Sequence, residues 1–189
     1  MTAPSPAPMS APEASSGTGL VYADVPNRVI AYIIDAIIVA IIGAVLGAIL
    51  GVIGLSPVTV NGLAISYNYV ASIILAIVGL AIGGAYFVYM WTTSRATIGM
   101  KLLSLQIGNA GDGATLTMEQ AIKRFLVLTG PGVLAQVFAP LPLVGLLISL
   151  LALGWVIFLL VTTAQSPTKQ GFHDKFANTQ VVKAAKSVT

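Results

Sequence analysis

Cysteine is absent from this chain of 189 residues, and charged side chains are scarce. The lack of cysteine excludes disulfide frameworks, thiolate metal sites and cysteine nucleophiles. Charged residues make up 8% of the chain and hydrophobic residues 57%, whereas about 25% of an ordinary soluble domain is charged. These proportions exclude a soluble globular fold. The formal net charge of +3 is too small and too dispersed for a nucleic-acid-binding face, so the sequence indicates an integral membrane protein surrounded by the lipid bilayer.

The composition divides the chain into three parts. Residues 1–20 are rich in Pro, Ala and Ser, which predicts a disordered tail. We do not expect a secretory signal there, because the first apolar run begins only near Val29 and is too long for one. Residues 21–183 form the predicted membrane domain, and residues 184–189 form a short C-terminal tail.

Three apolar runs are long enough to cross a hydrocarbon core of about 30 Å. They cover residues 29–54, 70–90 and 141–161. Pro140 and Pro142 stand at the start of the last run, where proline favours the beginning of a helix. These runs predict three membrane-spanning helices.

The segment 117–139 is ambiguous. Thr117 and Gln120 have the spacing of a capping box, and the first turns carry apolar residues on one face and polar residues on the other. This beginning predicts an interfacial amphipathic helix. The rest is apolar but short, and it is interrupted at 130–132 by Gly-Pro-Gly. The segment is therefore either a kinked crossing or a re-entrant segment.

The distribution of charge favours an even number of crossings. The loops 55–68 and 140–142 contain no charged residue. With four crossings, all nine Lys and Arg residues lie on the opposite side of the membrane, as the positive-inside rule requires of the cytoplasmic face. The sequence thus predicts an all-α polytopic protein with about four passes, in the cell (inner or plasma) membrane, with both termini in the cytoplasm.

Two loops carry signals for β structure. Val58 to Val60, the turn dipeptide Asn61-Gly62 and Leu63 to Ile65 predict a small external hairpin. Leu102 to Ile107 and Thr179 to Val182 both alternate weakly, so we expect them to pair as a small cytoplasmic sheet.

Glycines recur every four residues in the first two spans. Gly43, Gly47 and Gly51 lie in the first span, and Gly79 and Gly83 in the second. Small residues at this interval allow helix backbones to approach closely. They predict a tight helix pair or an oligomer contact; the alternative is that they keep a helix flexible or line a permeation path.

Asp35 is the one charged residue inside the first span. A carboxylate at the centre of a membrane helix costs about 2.5 to 3.5 kcal/mol. Four kinds of compensation are open: protonation, a salt bridge to Arg28 or Arg124, a bound cation, or a water-filled cavity. Arg28 is two helical turns away, which strains a direct pair, so we expect a partner from another element.

The sequence resembles the RDD family of prokaryotic membrane proteins, which is named for one arginine and two aspartates. The resemblance covers about Val21 to Lys183. Its motifs are Asn27-Arg28 through Ile34-Asp35, Thr97-Ile98-Gly99-Met100-Lys101-Leu102-Leu103, and His173-Asp174-Lys175 with Thr179, Val181 and Val182. The resemblance implies that Arg28, Asp35 and Asp174 are the naming residues, and that Arg124 stands where family members often carry an arginine. It also implies a multi-pass membrane domain, for which transport of unidentified ligands and cation/proton exchange have been suggested.

Two functions therefore remain open. In the first, the protein transports a small cation or solute, and Asp35 binds the ion or proton. In the second, it is a structural or accessory membrane protein, in which Arg28, Asp35, Arg124 and Asp174 form an ionic clamp.

Catalysis is not expected, because the lone His173 is accompanied by no nucleophile motif. No metal or cofactor is expected either. Four spans enclose little volume, so we expect a homo-oligomer or an association with other membrane proteins.

Overall fold

The computed structural model describes residues 21–184. The predicted tail at 1–20 and residues 185–189 lie outside this described part. Within it, four long helices are joined by two short helices and two small sheets. The elements in chain order are α1 (Val25–Val52), β1 (Val58–Asn61), β2 (Ala64–Tyr67), α2 (Tyr69–Thr93), α3 (Ile98–Leu102), β3 (Leu105–Asn109), α4 (Met118–Phe138), α5 (Pro142–Gln165), α6 (Phe172–Phe176) and β4 (Thr179–Lys183).

The four long helices are each long and apolar enough to cross a membrane. This finding confirms an all-α polytopic architecture with four passes. The ambiguous segment is one continuous helix, α4, with Pro131 inside it. Its 21 residues rise roughly 31 Å at 1.5 Å per residue, which matches the hydrocarbon thickness. It begins with the predicted capping box between Thr117 and Gln120, so the amphipathic opening is the first part of a crossing helix.

The predicted external loop forms a β-hairpin between α1 and α2. Asn61 pairs with Ala64, so the two turn residues are Gly62 and Leu63, one position later than the predicted Asn61-Gly62 turn. Gly62 has a φ of +64°. A type II′ turn needs a positive φ at its first central position, which glycine adopts at little cost. We call this end of the molecule the hairpin end.

The short elements α3, β3, α6 and β4 gather at the other end of the helices, and we call them together the cap. β3 and β4 pair antiparallel, with Ile107 opposite Val181, which confirms the expected pairing of these two segments. Ile107 is completely buried. The buried apolar core lies at this end, where residues of the cap pack against the ends of α2 and α4 that are nearest to the cap. The main members of this core are Phe87, Trp91, Met100, Leu105, Ile107, Leu116, Phe125 and Val181.

The glycine-rich stretches do not form the predicted pair between α1 and α2 within the described chain. A Cβ atom built at Gly43, Gly47 or Gly79 would have no neighbouring atom within 4 Å, and one at Gly51 would meet the hydroxyl of a nearby serine. Gly83 is different, because the ring of Phe125 on α4 lies 3.3 Å from its Cβ position. Among these five glycines, the contact with another long helix is therefore at Gly83, between α2 and α4, and the oligomer contact remains a prediction.

Candidate functional site

Asp174 is the centre of a buried ionic cluster at the cap. Its side chain is completely buried. One carboxylate oxygen accepts a hydrogen bond from Arg28 Nη1 at 2.8 Å, and the other accepts one from Arg124 Nη1. The backbone N–H of Gly171 also donates to Asp174, at 3.1 Å. Two positive charges and a backbone dipole thus compensate one buried negative charge.

The local sequence explains why Asp174 reaches this position. It lies in the first turn of α6, where a carboxylate accepts the free N–H groups at a helix N-terminus. Gly171 precedes the helix, and a Cβ atom there would overlap the hydroxyl of Thr163. Glycine therefore lets the end of α5 and the start of α6 approach closely, and this approach holds Asp174 against the bundle.

The two arginines connect different elements to Asp174. Besides its ion pair, Arg28 donates to the carbonyl oxygens of Ala23 and Val181, each at 3.1 Å. Arg124 donates to the hydroxyl of Thr179 at 2.9 Å. Arg28 thereby joins α1 to β4, and Arg124 joins α4 to the same strand. Arg124 lies in the amphipathic opening of α4, but only 6% of it is exposed, because its side chain bonds Asp174 and Thr179 of the cap.

Asp35 lies apart from this ionic cluster and is 2% exposed. It accepts hydrogen bonds from the Tyr86 hydroxyl at 2.7 Å, the Thr97 hydroxyl at 2.5 Å and the Gly99 backbone N–H at 2.8 Å. Across residues 21–184 it forms no salt bridge. Neutral donors from α2 and from the start of α3 therefore compensate its charge, so the partners do come from other elements, as expected.

The donors of Asp35 were not identified from the sequence. Each hydroxyl also accepts a backbone N–H from the first turn of α3: Ile98 N–H reaches Tyr86 at 3.2 Å, and Met100 N–H reaches Thr97 at 3.3 Å. Asp35 thus fixes the N-terminal turn of α3 through two hydroxyls and one direct bond. The signal that could have found Thr97 is the Thr97–Lys101 motif itself, whose threonine has the spacing of a helix cap.

A cavity of about 100 Å³ is bordered both by arginines of the ionic cluster and by Asp35, and we call it the cap cavity. Arg28, Asp35, Arg124 and His173 line it, together with Trp91 and other apolar side chains. Three of the four residues of the predicted ionic cluster therefore border one space, and Asp174 lies behind it.

His173 borders the cap cavity as a neutral side chain. Burial lowers its pKa to about 2, and the positive charges of Arg124 and Arg28 act in the same direction. Its Nε2 atom lies 3.5 Å from Asp174, but a neutral imidazole makes no ion pair there. In residues 21–184 no three His, Asp or Glu side chains cluster in a way that could hold a metal ion.

The family model described as RDD matches residues 22–178. The chain belongs to the RDD family. No curated protein and no solved structure matches it. The matched range includes Arg28, Asp35, Arg124 and Asp174, so both buried carboxylates of this RDD protein lie within the family's domain.

Proposed function

We propose that this RDD protein transports a small cation or solute along a route between α1, α2 and α4, with Asp35 at the cap end of the route. The observation that carries the proposal is a series of three cavities with shared lining residues. The cap cavity shares Tyr32 and Phe87 with a second cavity of about 340 Å³ between the three helices. We call this second space the middle cavity.

The series continues toward the hairpin end. Gln136 lines both the middle cavity and a third cavity of about 180 Å³, the hairpin cavity, which is bordered by Val58 and Tyr67 of the hairpin. Thr129 and Gln136 give the middle cavity polar groups among otherwise apolar walls. Polar groups inside a bundle are costly unless they serve packing or function, and here they border the spaces between the hairpin and Asp35.

Tyr32 and Phe87 form the barrier in this route. Their rings are stacked, with centroids 6.2 Å apart and planes inclined by 19°. Both rings border the cap cavity and the middle cavity, so transport along this route requires one of the two rings to move aside.

The surroundings of Asp35 suit exchange of a cation for a proton. The carboxylate lies beside two hydroxyl oxygens, those of Tyr86 and Thr97, and hard cations prefer oxygen ligands. A cation entering the cap cavity would replace the hydroxyl protons as the partner of the carboxylate. Protonation of Asp35 would release it.

Flux measurement tests this proposal. Purified protein in liposomes that enclose a pH-sensitive dye should show proton flux driven by a Na⁺ or K⁺ gradient. Asp35→Asn should abolish the flux, and Glu119→Gln, which changes an exposed carboxylate on α4, should not. If Asp35→Asn fails to fold, Tyr86→Phe, which leaves the carboxylate in place, should shift the cation dependence of the flux. Absence of gradient-dependent flux in the unmodified protein would contradict the proposal.

The second candidate is a structural or accessory membrane protein with an ionic clamp. The observation in its favour is that three donors already satisfy Asp35, and that Asp174 joins α1, α4 and α6. Buried charges of this kind can specify an arrangement without any transport role. This candidate predicts that Asp35→Asn lowers thermal stability, and that the unmodified protein shows no flux.

The orientation of the protein in the membrane is part of the same proposal. We infer that the cap faces the cytoplasm of the cell and that the hairpin faces outward. Within residues 21–184 the cap and the adjoining helix ends carry the Lys and Arg residues, while residues 53–68 of the hairpin end carry no charge. The positive-inside rule supports this orientation.

A further inference from the structure

Two nitrogen donors at the cap cavity have no acceptor among residues 21–184. They are Nε1 of Trp91 and Nε of Arg124; Nδ1 of the neutral His173, which also borders the cavity and can donate or accept, has no partner there either. Trp91 is 3% exposed and Arg124 is 6% exposed, and both side chains line the cavity. Either atom can donate a hydrogen bond but cannot accept one. Buried donors are normally paired, so this pair indicates a partner that offers lone pairs.

The distribution of charge around the cavity favours a negatively charged partner beside the arginines. Arg28 and Arg124 contribute two positive charges, which the carboxylates of Asp174 and Asp35 balance in number. Both arginines share Asp174, however, and within residues 21–184 neither forms a salt bridge with Asp35, whose oxygens accept hydrogen bonds from neutral donors. His173 adds no charge in its neutral form. Positive charge is therefore concentrated where two guanidinium groups share one carboxylate, and the unpaired donor of Arg124 belongs to one of them.

The size of the cavity limits the partner. Its volume is about 100 Å³, roughly that of three water molecules at about 30 Å³ each. The guanidinium carbon of Arg124 lies 5.3 Å from the centroid of the Trp91 ring, so the two residues are neighbours. An ion the size of a halide fits such a space, whereas an organic solute of many atoms does not.

We propose that the cap cavity binds one small monovalent anion, a halide or nitrate, between Trp91 Nε1 and Arg124 Nε. The anion accepts both unpaired hydrogen bonds and lies beside the two arginines that share Asp174. It lies at the junction of α2, α4 and the cap, so it stabilises the attachment of the cap. The anion contacts Trp91 and Arg124, whereas the cation of the proposed exchange contacts Asp35 in the same cavity. Anion binding can be tested without transport, because it requires occupancy of the cavity and not movement through it.

Anion titration of the purified protein in detergent tests the site. The measurement is the melting temperature as NaCl, NaBr or NaNO₃ replaces sodium gluconate at constant ionic strength. We expect a saturable rise with the small anions. Trp91→Phe keeps an aromatic ring beside Arg124 but removes the donor, so it should weaken the apparent affinity about tenfold, the effect of losing one hydrogen bond to a charged group.

The matched control is Trp155→Phe. Trp155 donates to the Val127 carbonyl at 2.9 Å and does not line the cap cavity, so this variant should keep the anion response. It also leaves Trp91 as the one remaining tryptophan of the two in the chain, and its fluorescence should change with the same midpoint. An equal response in Trp91→Phe, or no difference between small anions and gluconate, would overturn the proposal in favour of water in the cavity.

A crystal structure of the unmodified protein with bromide keeps the proposal testable if Trp91→Phe does not fold. The expected result is an anomalous peak within hydrogen-bonding distance of Trp91 Nε1 and Arg124 Nε. A cap cavity without such a peak at saturating bromide would contradict the site. Neither experiment depends on flux, so a failure here is distinguishable from a failure of the transport proposal.

Discussion

At single residues, the two buried carboxylates are compensated by different means. Asp174 is paired with two arginines, and Asp35 is held by neutral donors. Removing a partner from a buried ion pair leaves an uncompensated charge, which costs more than the pair itself contributes. The two aspartates should therefore differ in their sensitivity to substitution.

Asp174→Asn should be the more damaging of the two amide substitutions. It leaves Arg28 and Arg124 without their common counter-ion, so we expect the free energy of unfolding to fall by about 3 to 5 kcal/mol. Denaturant unfolding in detergent micelles measures this change. Glu119→Gln removes an exposed i,i+4 partner of Lys123 and should leave stability unchanged. Equal stability of the two variants would contradict the buried cluster.

His173 makes stability depend on pH in a defined direction. Its pKa is lowered to about 2 by burial and by the two arginines, while in the unfolded chain it returns to about 6.5. Below about pH 6.5 the unfolded chain therefore binds a proton that the folded chain does not. Its contribution is fully present above that pH, and the free energy of unfolding falls by up to about 1.4 kcal/mol per pH unit as the pH decreases.

The His173→Gln variant measures this contribution. The chain contains one histidine, so the variant should lose most of the change in melting temperature between about pH 7.5 and about pH 5.5, where His titrates. An unchanged pH dependence would show that His173 is not the group responsible.

The sequence predicted the charged members of the site better than the uncharged ones. Asp35 is conspicuous because charge is rare in an apolar chain, and the resemblance to the RDD family adds Arg28 and Asp174. Tyr86 and Thr97 carry no such signal, since hydroxyl groups are ordinary at the ends of membrane helices. Their role depends on α3 folding back onto α1, which is a tertiary contact that no local pattern encodes.

Among the elements, the contact between α1 and α3 fixes the cap to the bundle. Gly99 lies at the start of α3, and a Cβ atom there would overlap the carbonyl oxygen of Ala31 on α1. The absent side chain lets the Gly99 N–H reach Asp35 at 2.8 Å. Close packing and compensation of the buried charge therefore depend on the same glycine.

Gly99→Ala should separate α3 from α1. Overpacking of this kind typically costs about 1 to 3 kcal/mol, and loss of the bond to Asp35 adds to the effect. Gly79→Ala is the matched control, because its Cβ would meet no atom within 4 Å. Melting temperatures in detergent should fall for the first variant and stay close to the unmodified value for the second. Similar melting temperatures would contradict the close contact.

The elements themselves were largely predictable, and their packing was not. Apolar length predicts three of the helices, α1, α2 and α5, because the bilayer sets that length. The charge distribution favours the fourth crossing, and the Thr117 capping box fixes the start of α4. Glycine spacing did not give the helix partners. An interval of four residues marks a face on which backbones can approach, but within residues 21–184 α4 comes close to Gly83 and no atom lies within 4 Å of the Cβ position of Gly43.

In the whole molecule, four passes place the hairpin and the cap at opposite ends. The chain contains no cysteine, so single cysteines can report each side without a background. Leu63→Cys at the fully exposed hairpin turn should react with a membrane-impermeant maleimide on intact cells. Asp112→Cys, in the turn after β3, should react only after permeabilisation. The opposite pattern would contradict the inferred orientation.

Gln136 is the position at which the proposed route between α1, α2 and α4 can be blocked, because it lines both the middle and the hairpin cavity. The measurement is cation-driven proton flux in liposomes before and after thiol modification of Gln136→Cys, with Leu63→Cys as a control that is modified outside the route. We expect modification to stop flux in Gln136→Cys and to leave it intact in Leu63→Cys. Undiminished flux through fully modified Gln136→Cys would contradict the proposed route.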